Sequence, residues 1–285
     1  MNRKIKDALT LGVAALFVLA FALWSICKSD DAVSESERRA LKQFPMLSVE
    51  EALSGRFQSN FESYTLDQFP LRDGFRTLKA LAVRDLFREK DNNGIYVADG
   101  YAAKLDYPLH EDSLDHAADR FRYVYEAYLK GTGANIYLSV IPDKNYFLAA
   151  ENGYPAMDYE ALFSLMREKA DFAEYIDLTD TLSLPSYYRT DTHWRQEMLV
   201  PTVKALADAM GVSLTADFTE IPLDTPFYGV YRGQSALQMA PDKLAYLTNS
   251  VIEGCRVYDY ENSEYLPVYT LEKADGSDPY EIFLS

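Results

Sequence analysis

The apolar stretch from Leu9 to Cys27 carries no charge and follows Arg3, Lys4 and Lys6. At 1.5 Å per residue, a helix of this length comes close to the roughly 30 Å hydrocarbon core of a bilayer. The stretch ends in bulky residues, whereas a signal peptide is cleaved after small ones, so the sequence favours an anchor that is retained. A cleaved signal is the alternative interpretation. Basic residues before it and acidic residues after it favour a cytoplasmic N-terminus. The pattern predicts a single-pass protein of the cell membrane, in which residues 1–28 form a cytoplasmic stub and a transmembrane signal anchor and the main domain is extracytoplasmic.

Beyond the anchor, the pattern predicts a tether, two helices and a hairpin. Residues 29–43 are polar and charged and indicate a tether with some helix. Ser48 and Glu51 have the spacing of a capping box, which begins a helix. From Pro70 onward, apolar residues recur at helical spacing and predict a second helix. Asp99-Gly100, flanked by short apolar runs, is typical of a hairpin turn.

The middle of the chain has the pattern of a strand–helix–strand unit. Residues 135–142 form an apolar run that is typical of a strand buried on both faces. A helical pattern over 158–172 and a short strand over 175–178 follow. Such a unit predicts parallel strands joined by a right-handed crossover. Because ligands bind at the carboxyl ends of these strands, Pro142-Asp143-Lys144 and the loop after Leu178 are expected near a site.

Charge and cysteine content exclude several classes of function. The 285 residues include 28 Lys and Arg against 44 Asp and Glu, a net charge of −16. Nucleic-acid affinity depends on neutralising phosphates, so we expect no nucleic-acid partner. Cys27 and Cys255 stand far apart and form neither a disulfide framework nor a Cys-x-x-Cys pair. His110 and His116 are poorly spaced for one helix face and have no cysteine nearby, so we expect no metal and no cofactor.

One loop contains residues suited to catalysis: Tyr187-Tyr188-Arg189-Thr190-Asp191-Thr192-His193-Trp194. On a turn, the Asp191 carboxylate can accept the Nδ1 proton of His193. That pairing leaves Nε2 free to take a proton from a serine hydroxyl. The same tripeptide is equally compatible with a histidine that caps or packs at the start of a helix near Trp194.

The segment from Tyr188 to Trp194, placed after a strand–helix–strand unit that contains Ile141-Pro142-Asp143-Lys144, resembles the DHHW family. It is also similar to that family's relatives, the SGNH-hydrolase-like proteins that O-acetylate alginate. Residues 61–73, 227–229 and 278–283 resemble other landmarks of the family. The resemblance therefore covers much of the chain beyond the predicted anchor.

The resemblance implies a three-layer α/β/α SGNH-hydrolase-like domain with a mostly parallel sheet over residues 44–285. It implies that Asp191 and His193 are the catalytic residues that activate a serine. The relatives acetylate envelope or secreted polysaccharides, often with a multi-span membrane O-acyltransferase that delivers the acyl group.

In the family, the serine follows the Asp-Pro-Tyr-x-x-Phe region on a Gly-Asp-Ser-like turn, and this sequence reaches Ser285 without one. We therefore expect a domain that is incomplete at its C-terminus and inactive as given. The alternative is a non-catalytic glycan-binding or scaffold protein on the same fold.

Five further residues are candidates for substrate binding: Lys144, Tyr188, Arg189, Trp194 and Ser235. Lys144 contacts substrate at a strand end or pairs with Asp143 in solvent. Arg189 holds the loop of Asp191 or binds an anionic sugar. Ser235, in Gly233-Gln234-Ser235, is a substitute nucleophile or an ordinary loop residue.

Overall fold

The chain divides into two units between Phe87 and Arg88. The structure, a computed structural model, describes residues 3–214 and 217–283, and Ser285, the expected end of the domain, lies outside these ranges. The α-helices in the described ranges are α1 (Arg3–Cys27), α2 (Val49–Leu53), α3 (Arg56–Asp67), α4 (Arg72–Leu81), α5 (Glu111–Val124), α6 (Asn145–Leu148), α7 (Tyr159–Lys169), α8 (Val200–Ala209), α9 (Val230–Ser235) and α10 (Ser250–Gly254). The strands are β1 (Val33–Ser34), β2 (Arg39–Ala40), β3 (Ile95–Ala98), β4 (Tyr101–Lys104), β5 (Tyr137–Leu138), β6 (Glu174–Tyr175), β7 (Thr219–Phe227), β8 (Asp242–Thr248), β9 (Val257–Asp259) and β10 (Glu264–Leu266).

Helix α1 is the helix predicted from the apolar stretch at the N-terminus. No residue of α1 is buried. Within the described ranges, α1 alone has the length and composition that crossing a membrane requires. The presence of an apolar helix long enough to span is therefore confirmed, while its orientation in a membrane stays a prediction.

In the first unit, Met1–Phe87, residues 29–43, for which a tether with some helix is expected, contain two short strands. Strands β1 and β2 pair antiparallel within that segment. Arg39 of β2 donates to both carboxylate oxygens of Asp67, at 2.9 and 2.6 Å. The Lys42 N–H donates to the same carboxylate at 2.9 Å. The segment is ordered because its polar groups donate hydrogen bonds to the buried Asp67 carboxylate. The number of polar residues in the segment does not indicate these bonds.

The helices of the first unit begin and end largely where their capping residues predict. Ser48 caps α2 by accepting the Glu51 N–H at 3.1 Å. The single helix expected there is divided at Gly55, whose φ of 78° is outside the helical region. Helix α4 continues into a π-helical turn, Ala82–Leu86.

The second unit begins with the predicted hairpin. Strands β3 and β4 pair in register around Asp99-Gly100. Both turn residues have positive φ, 48° and 80°, as the type I′ turn of a two-residue hairpin requires. The hydroxyl of Tyr96 on β3 donates to Asn145 Oδ1 at 2.7 Å, which ties the hairpin to α6.

The expected mostly parallel sheet is not confirmed. Strands β5 and β6 pair parallel across α7, as the strand–helix–strand pattern predicts. In the described residues, however, every sheet has two strands and the other four pairs are antiparallel. Beyond the two-residue ladder, the run 135–142 is held partly by side chains: its own Ser139 Oγ donates to the Ile176 carbonyl, and its Pro142 carbonyl accepts the Tyr187 hydroxyl.

A buried cluster of apolar side chains lies between the β7–β8 hairpin and the chain near residue 280. Its largest fully buried members are Tyr188, Phe227, Leu244 and Ile282. Tyr188 meets Phe227 edge to face, with ring centroids 5.1 Å apart. This cluster supports the loop of Asp191 from behind, because Tyr188 belongs to that loop.

We predict that the fold of residues 29–43 weakens at low pH through Asp67. The hydrogen bonds from Arg39 lower the pKa of Asp67 to about 2 from its ordinary 3.8. The charged form therefore stabilises the fold above pH 3.8 by about 2 kcal/mol, and this is lost as the pH falls toward 2. Hydrogen exchange of peptides over 29–43 should accelerate in this window in the wild type, beyond the intrinsic pH effect.

The Asp67→Asn variant should already exchange faster at pH 6 and show no further acceleration of its own between pH 4 and 2. Asp73→Asn is the control, since this α4 carboxylate is 61% exposed. Equal behaviour of the two variants would contradict the role given to Asp67.

Candidate active site

The loop before α8 closes on itself. Tyr187 pairs with Trp194 in an isolated antiparallel bridge, and the Tyr188 N–H donates to the His193 carbonyl at 3.1 Å. The turn between these contacts contains Asp191, which is completely buried. The loop therefore turns one carboxylate inward and places the histidine beside it.

Asp191 and His193 form the hydrogen bond expected from their spacing. Asp191 Oδ1 lies 2.6 Å from Nδ1 of the His193 ring and accepts the His193 backbone N–H at 3.0 Å. Oδ2 accepts the N–H of Val230, the first residue of α9, at 2.7 Å. Because an ionised carboxylate only accepts hydrogen bonds, Nδ1 carries the proton and Nε2 is the nitrogen that can receive one.

The environment of Asp191 keeps its carboxyl group ionised. Burial raises the pKa of this group, but hydrogen bonds from the His193 ring and from the N–H groups of Val230 and His193 outweigh burial, so the pKa lies below its ordinary value. A fixed negative charge at Nδ1 stabilises the imidazolium that forms when Nε2 accepts a proton. The pair therefore has the electrostatics of a general base with its orienting carboxylate.

The His193 ring is packed on one face and accessible elsewhere. Its side chain is 42% exposed. Tyr280 stacks on the ring, with centroids 3.9 Å apart and planes inclined by 14°. Within residues 3–214 and 217–283, His193 Nε2 makes no hydrogen bond. The stacking and the Asp191 bond together fix the ring while the side chain stays partly exposed.

Asp242, at the start of β8, holds the residues that precede Asp191. Its carboxylate accepts the Arg189 N–H at 2.9 Å, the Thr190 N–H at 2.8 Å and the Thr190 hydroxyl at 2.6 Å. Thr190 Oγ1 in turn accepts the Gly229 N–H at 2.8 Å. A Cβ at Gly229 would lie 2.3 Å from the Thr190 carbonyl carbon. The chain can approach the loop this closely only because residue 229 is glycine.

Lys144 supports the loop from the interior. Its side chain is 2% exposed, and its Nζ donates to the Tyr188 carbonyl at 2.6 Å and lies 5.1 Å from the centre of the Tyr231 ring. Burial lowers the pKa of Lys144 to about 7, against the opposing effect of nearby carboxylates, Asp191 foremost. Neither expectation for Lys144 agrees with this position: it offers no surface to a substrate, and it does not pair with Asp143 in solvent.

Two other expected substrate-binding residues are buried as well. Tyr188 and Ser235 are both 0% exposed. Ser235 Oγ accepts the Leu237 N–H at 3.2 Å and donates to the Arg232 carbonyl at 3.4 Å, so it is engaged within its own turn. Their burial contradicts a role in contacting substrate, and it also removes Ser235 as a substitute nucleophile.

Arg189 and Trp194 are placed where a substrate can reach them. The Arg189 side chain is exposed, with its guanidinium 5.9 Å from the centre of the Tyr101 ring. The Arg189 carbonyl accepts the Ala102 N–H at 2.7 Å, so its backbone fixes the loop to β4. Trp194 is half-buried. Contact of either residue with substrate stays a prediction.

Three residues of the site were not predicted from the sequence: Tyr280, Gly229 and Asp242. The first two belong to segments noted for family resemblance, but nothing in the sequence places them against His193 and Thr190. Asp242 carries no sequence signal, because it is one acidic residue among many. In the described part of the chain, no group of three or more His, Cys, Asp or Glu side chains could hold a metal ion.

Neither a family model nor a curated protein matches the chain. Among solved structures, a DHHW family protein from Eubacterium siraeum is 19% identical with a TM-score of 0.46, over 56% of each chain. The O-acetyltransferase domain of Pseudomonas putida AlgJ is 22% identical with a TM-score of 0.42, over 54% of this chain and 64% of that domain. Bacillus cereus PatB1, solved with a sulfonyl adduct, is 14% identical with a TM-score of 0.50, over 66% of this chain and 70% of PatB1.

The solved structures that the chain resembles thus include a protein of the DHHW family, the family whose resemblance the sequence carries. At these identities, what the PatB1 match shows is a shared fold. The matched region spans less than two thirds of the DHHW family protein and of the AlgJ domain.

We predict that Gly229→Ala destabilises the second unit and displaces Asp191. The new Cβ would overlap the Thr190 backbone, and overpacking of this kind costs about 1–3 kcal/mol. Urea unfolding of the full chain in detergent measures this loss. Gly254→Ala is the matched control, because a Cβ at Gly254 meets nothing within 4 Å. Equal midpoints for the two variants would contradict the close approach.

We also predict that Lys144 makes the second unit more stable as the pH rises from 7 to 9. Its folded pKa of about 7 lies below the unfolded value of 10.5, so the unfolded state binds more protons in this window and stability increases with pH. The Lys144→Met variant should lose this slope in urea unfolding measured at both pH values. Lys104→Met, at an exposed position on β4, should keep it. A wild-type slope in Lys144→Met would refute the assignment.

Proposed function

We propose that this chain supplies the base and the orienting carboxylate of an acyl-transfer site that acetylates hydroxyl groups of cell-envelope or secreted polysaccharides. The observation that carries the proposal is the hydrogen bond between buried Asp191 and Nδ1 of His193, whose side chain is 42% exposed. The fold shared with PatB1 and the likeness to an O-acetyltransferase domain of AlgJ agree with it. For this function we propose an SGNH-hydrolase-like domain over residues 44–285.

The proposed chemistry is acyl transfer through a serine. A serine hydroxyl at His193 Nε2 gives its proton to the ring as Oγ attacks the carbonyl carbon of an acyl donor. The proton then passes to the leaving group as the tetrahedral intermediate collapses to an acyl-serine. A sugar hydroxyl takes the acyl group in a second attack, again with His193 as the base. Asp191 keeps the ring in the tautomer that both steps require.

Among the described residues, no serine hydroxyl forms a hydrogen bond with His193 Nε2. We therefore propose further that the 285-residue chain by itself turns over little or no acyl donor, because triads act as a unit. A non-catalytic glycan-binding or scaffold protein is the second candidate. The lack of a serine at Nε2 among the described residues favours it.

We propose that α1 crosses the cell membrane, with the N-terminus in the cytoplasm and residues beyond Cys27 outside. The length and composition of α1 and the basic residues at its N-terminal end support this arrangement. A multi-span membrane O-acyltransferase is the proposed partner, since the acetyl donors of metabolism are cytoplasmic and the acceptor polysaccharide is outside.

We predict the result of two acetyl-transfer assays with 4-nitrophenyl acetate and a polysaccharide acceptor. The 285-residue chain should release nitrophenol no faster than its own His193→Ala variant. The product of the whole reading frame, of whatever length, should transfer acetyl groups. In that protein, His193→Ala should abolish transfer, and Asp191→Asn should reduce it by about 10⁴-fold. His116→Ala, at an exposed position on α5, is the control and should have no effect.

Turnover by the 285-residue chain that depends on His193 would overturn the proposed insufficiency and support the catalytic pair. If the product of the whole reading frame binds polysaccharide without transferring acetyl groups, the scaffold function replaces the enzymatic one.

A further inference from the structure

Helix α4 has its apolar face on the outside of the first unit. Four apolar residues form this face: Leu71 caps the N-terminus of α4, Phe75 and Leu78 lie on the helix, and Leu86 lies in the π-helical turn that follows. Their exposed fractions are 60, 39, 61 and 73%. In water, an amphipathic helix turns such a stripe toward the protein core. The orientation here is the reverse.

The opposite face of α4 is occupied by charged and small residues that pack inward. Arg72 and Arg76 pair with Glu37 at 2.5 and 3.2 Å, and their side chains are only 18 and 16% exposed. Ala80, on the same face, is 0% exposed. The protein therefore satisfies the polar face of α4 itself, and the apolar stripe needs an apolar environment outside the protein.

The apolar stripe adjoins α1. Phe21 of α1 stacks on Phe69, with ring centroids 5.4 Å apart and planes inclined by 3°. Phe21 also meets Phe75 of α4 edge to face at 5.7 Å. Phe21 precedes the end of α1, Cys27, by six residues, which at 1.5 Å per residue is about 9 Å along the helix. Phe75 thus contacts α1 within the length that is apolar enough to lie in hydrocarbon.

We propose that the apolar stripe of α4 (Leu71, Phe75, Leu78 and Leu86) is embedded in the bilayer leaflet at the Cys27 end of α1. This inference rests on the proposed insertion of α1. Interfacial helices bury their apolar face by about 5–10 Å at the boundary of headgroups and acyl chains, which matches the level of the Phe21 contacts. The basic residues of the inner face are paired with Glu37, so the attraction is apolar. Binding is therefore expected in uncharged phosphatidylcholine.

The test is fluorescence quenching of the full chain in phosphatidylcholine vesicles. An environment-sensitive dye is attached at Leu78→Cys or at Asp73→Cys, after replacing the two exposed cysteines by Cys27→Ser and Cys255→Ser. Leu78 and the Asp73 side chain are each 61% exposed but lie on different faces of α4. The dye at position 78 should lose most of its emission to lipids with nitroxide on the acyl chain and little to aqueous iodide. The dye at position 73 should show the reverse.

A third label, at Leu16→Cys in α1, separates this inference from the anchor proposal. Suppose that the acyl-chain nitroxide quenches the dye at position 16, while iodide quenches the dyes at positions 78 and 73 equally. The anchor proposal is then supported and the embedded stripe is refuted. Protection of position 78 from both quenchers would mean that protein covers the stripe, which also refutes the inference. If the Leu16→Cys dye escapes the acyl-chain nitroxide, both proposals fail.

Discussion

A charged carboxylate that is 0% exposed sets the architecture around the candidate site. Removing an ionised group from water costs several kcal/mol unless hydrogen bonds replace those of the solvent. Asp191 obtains these bonds from its own turn, through the backbone N–H and the ring Nδ1 of His193, and from the Val230 N–H across the site. The Val230 bond brings α9 against the loop, and that approach is what requires Gly229. Imidazole orientation, loop shape and the position of α9 are thus consequences of keeping one negative charge buried.

The first unit follows the same rule with different donors. Asp67 is nearly buried and takes its hydrogen bonds from the Arg39 guanidinium and the Lys42 N–H. Both units therefore use a buried aspartate to hold a segment with little apolar surface of its own. The difference lies in the donor. A guanidinium does not release its proton at physiological pH, whereas an imidazole exchanges its proton readily. The first arrangement is suited to structure and the second to chemistry.

Local patterns could be predicted from the sequence where a few adjacent residues determine the geometry. The Asp99-Gly100 turn, the Ser48 cap and the Asp191–His193 hydrogen bond are of this kind, because their partners lie within three residues. The run 135–142 shows the limit: its hydrophobicity indicated a buried strand, but pairing depends on partners that hydrophobicity does not specify. Lys144 shows another limit. A lysine beside an aspartate is ordinarily solvated, and only the three-dimensional position of the Tyr188 carbonyl and the Tyr231 ring explains why this one is buried. Tyr280 escaped prediction for the same reason.

The stacking of Tyr280 on His193 also bears on the order in which the molecule is made. The ribosome produces the loop of Asp191 and His193 well before β7, α9 and β8, and Tyr280 comes later still. The partners that fix the loop lie 39 residues downstream at Val230 and 52 residues downstream at Asp242. Contacts between such distant residues form only after the intervening chain has emerged and closed. A nascent chain therefore holds an unfinished loop until β7, α9 and the start of β8 have emerged. The imidazole acquires its stacking partner only after Tyr280 has emerged, so a polypeptide that emerges gradually does not carry a fully oriented base through the earlier stages of its synthesis.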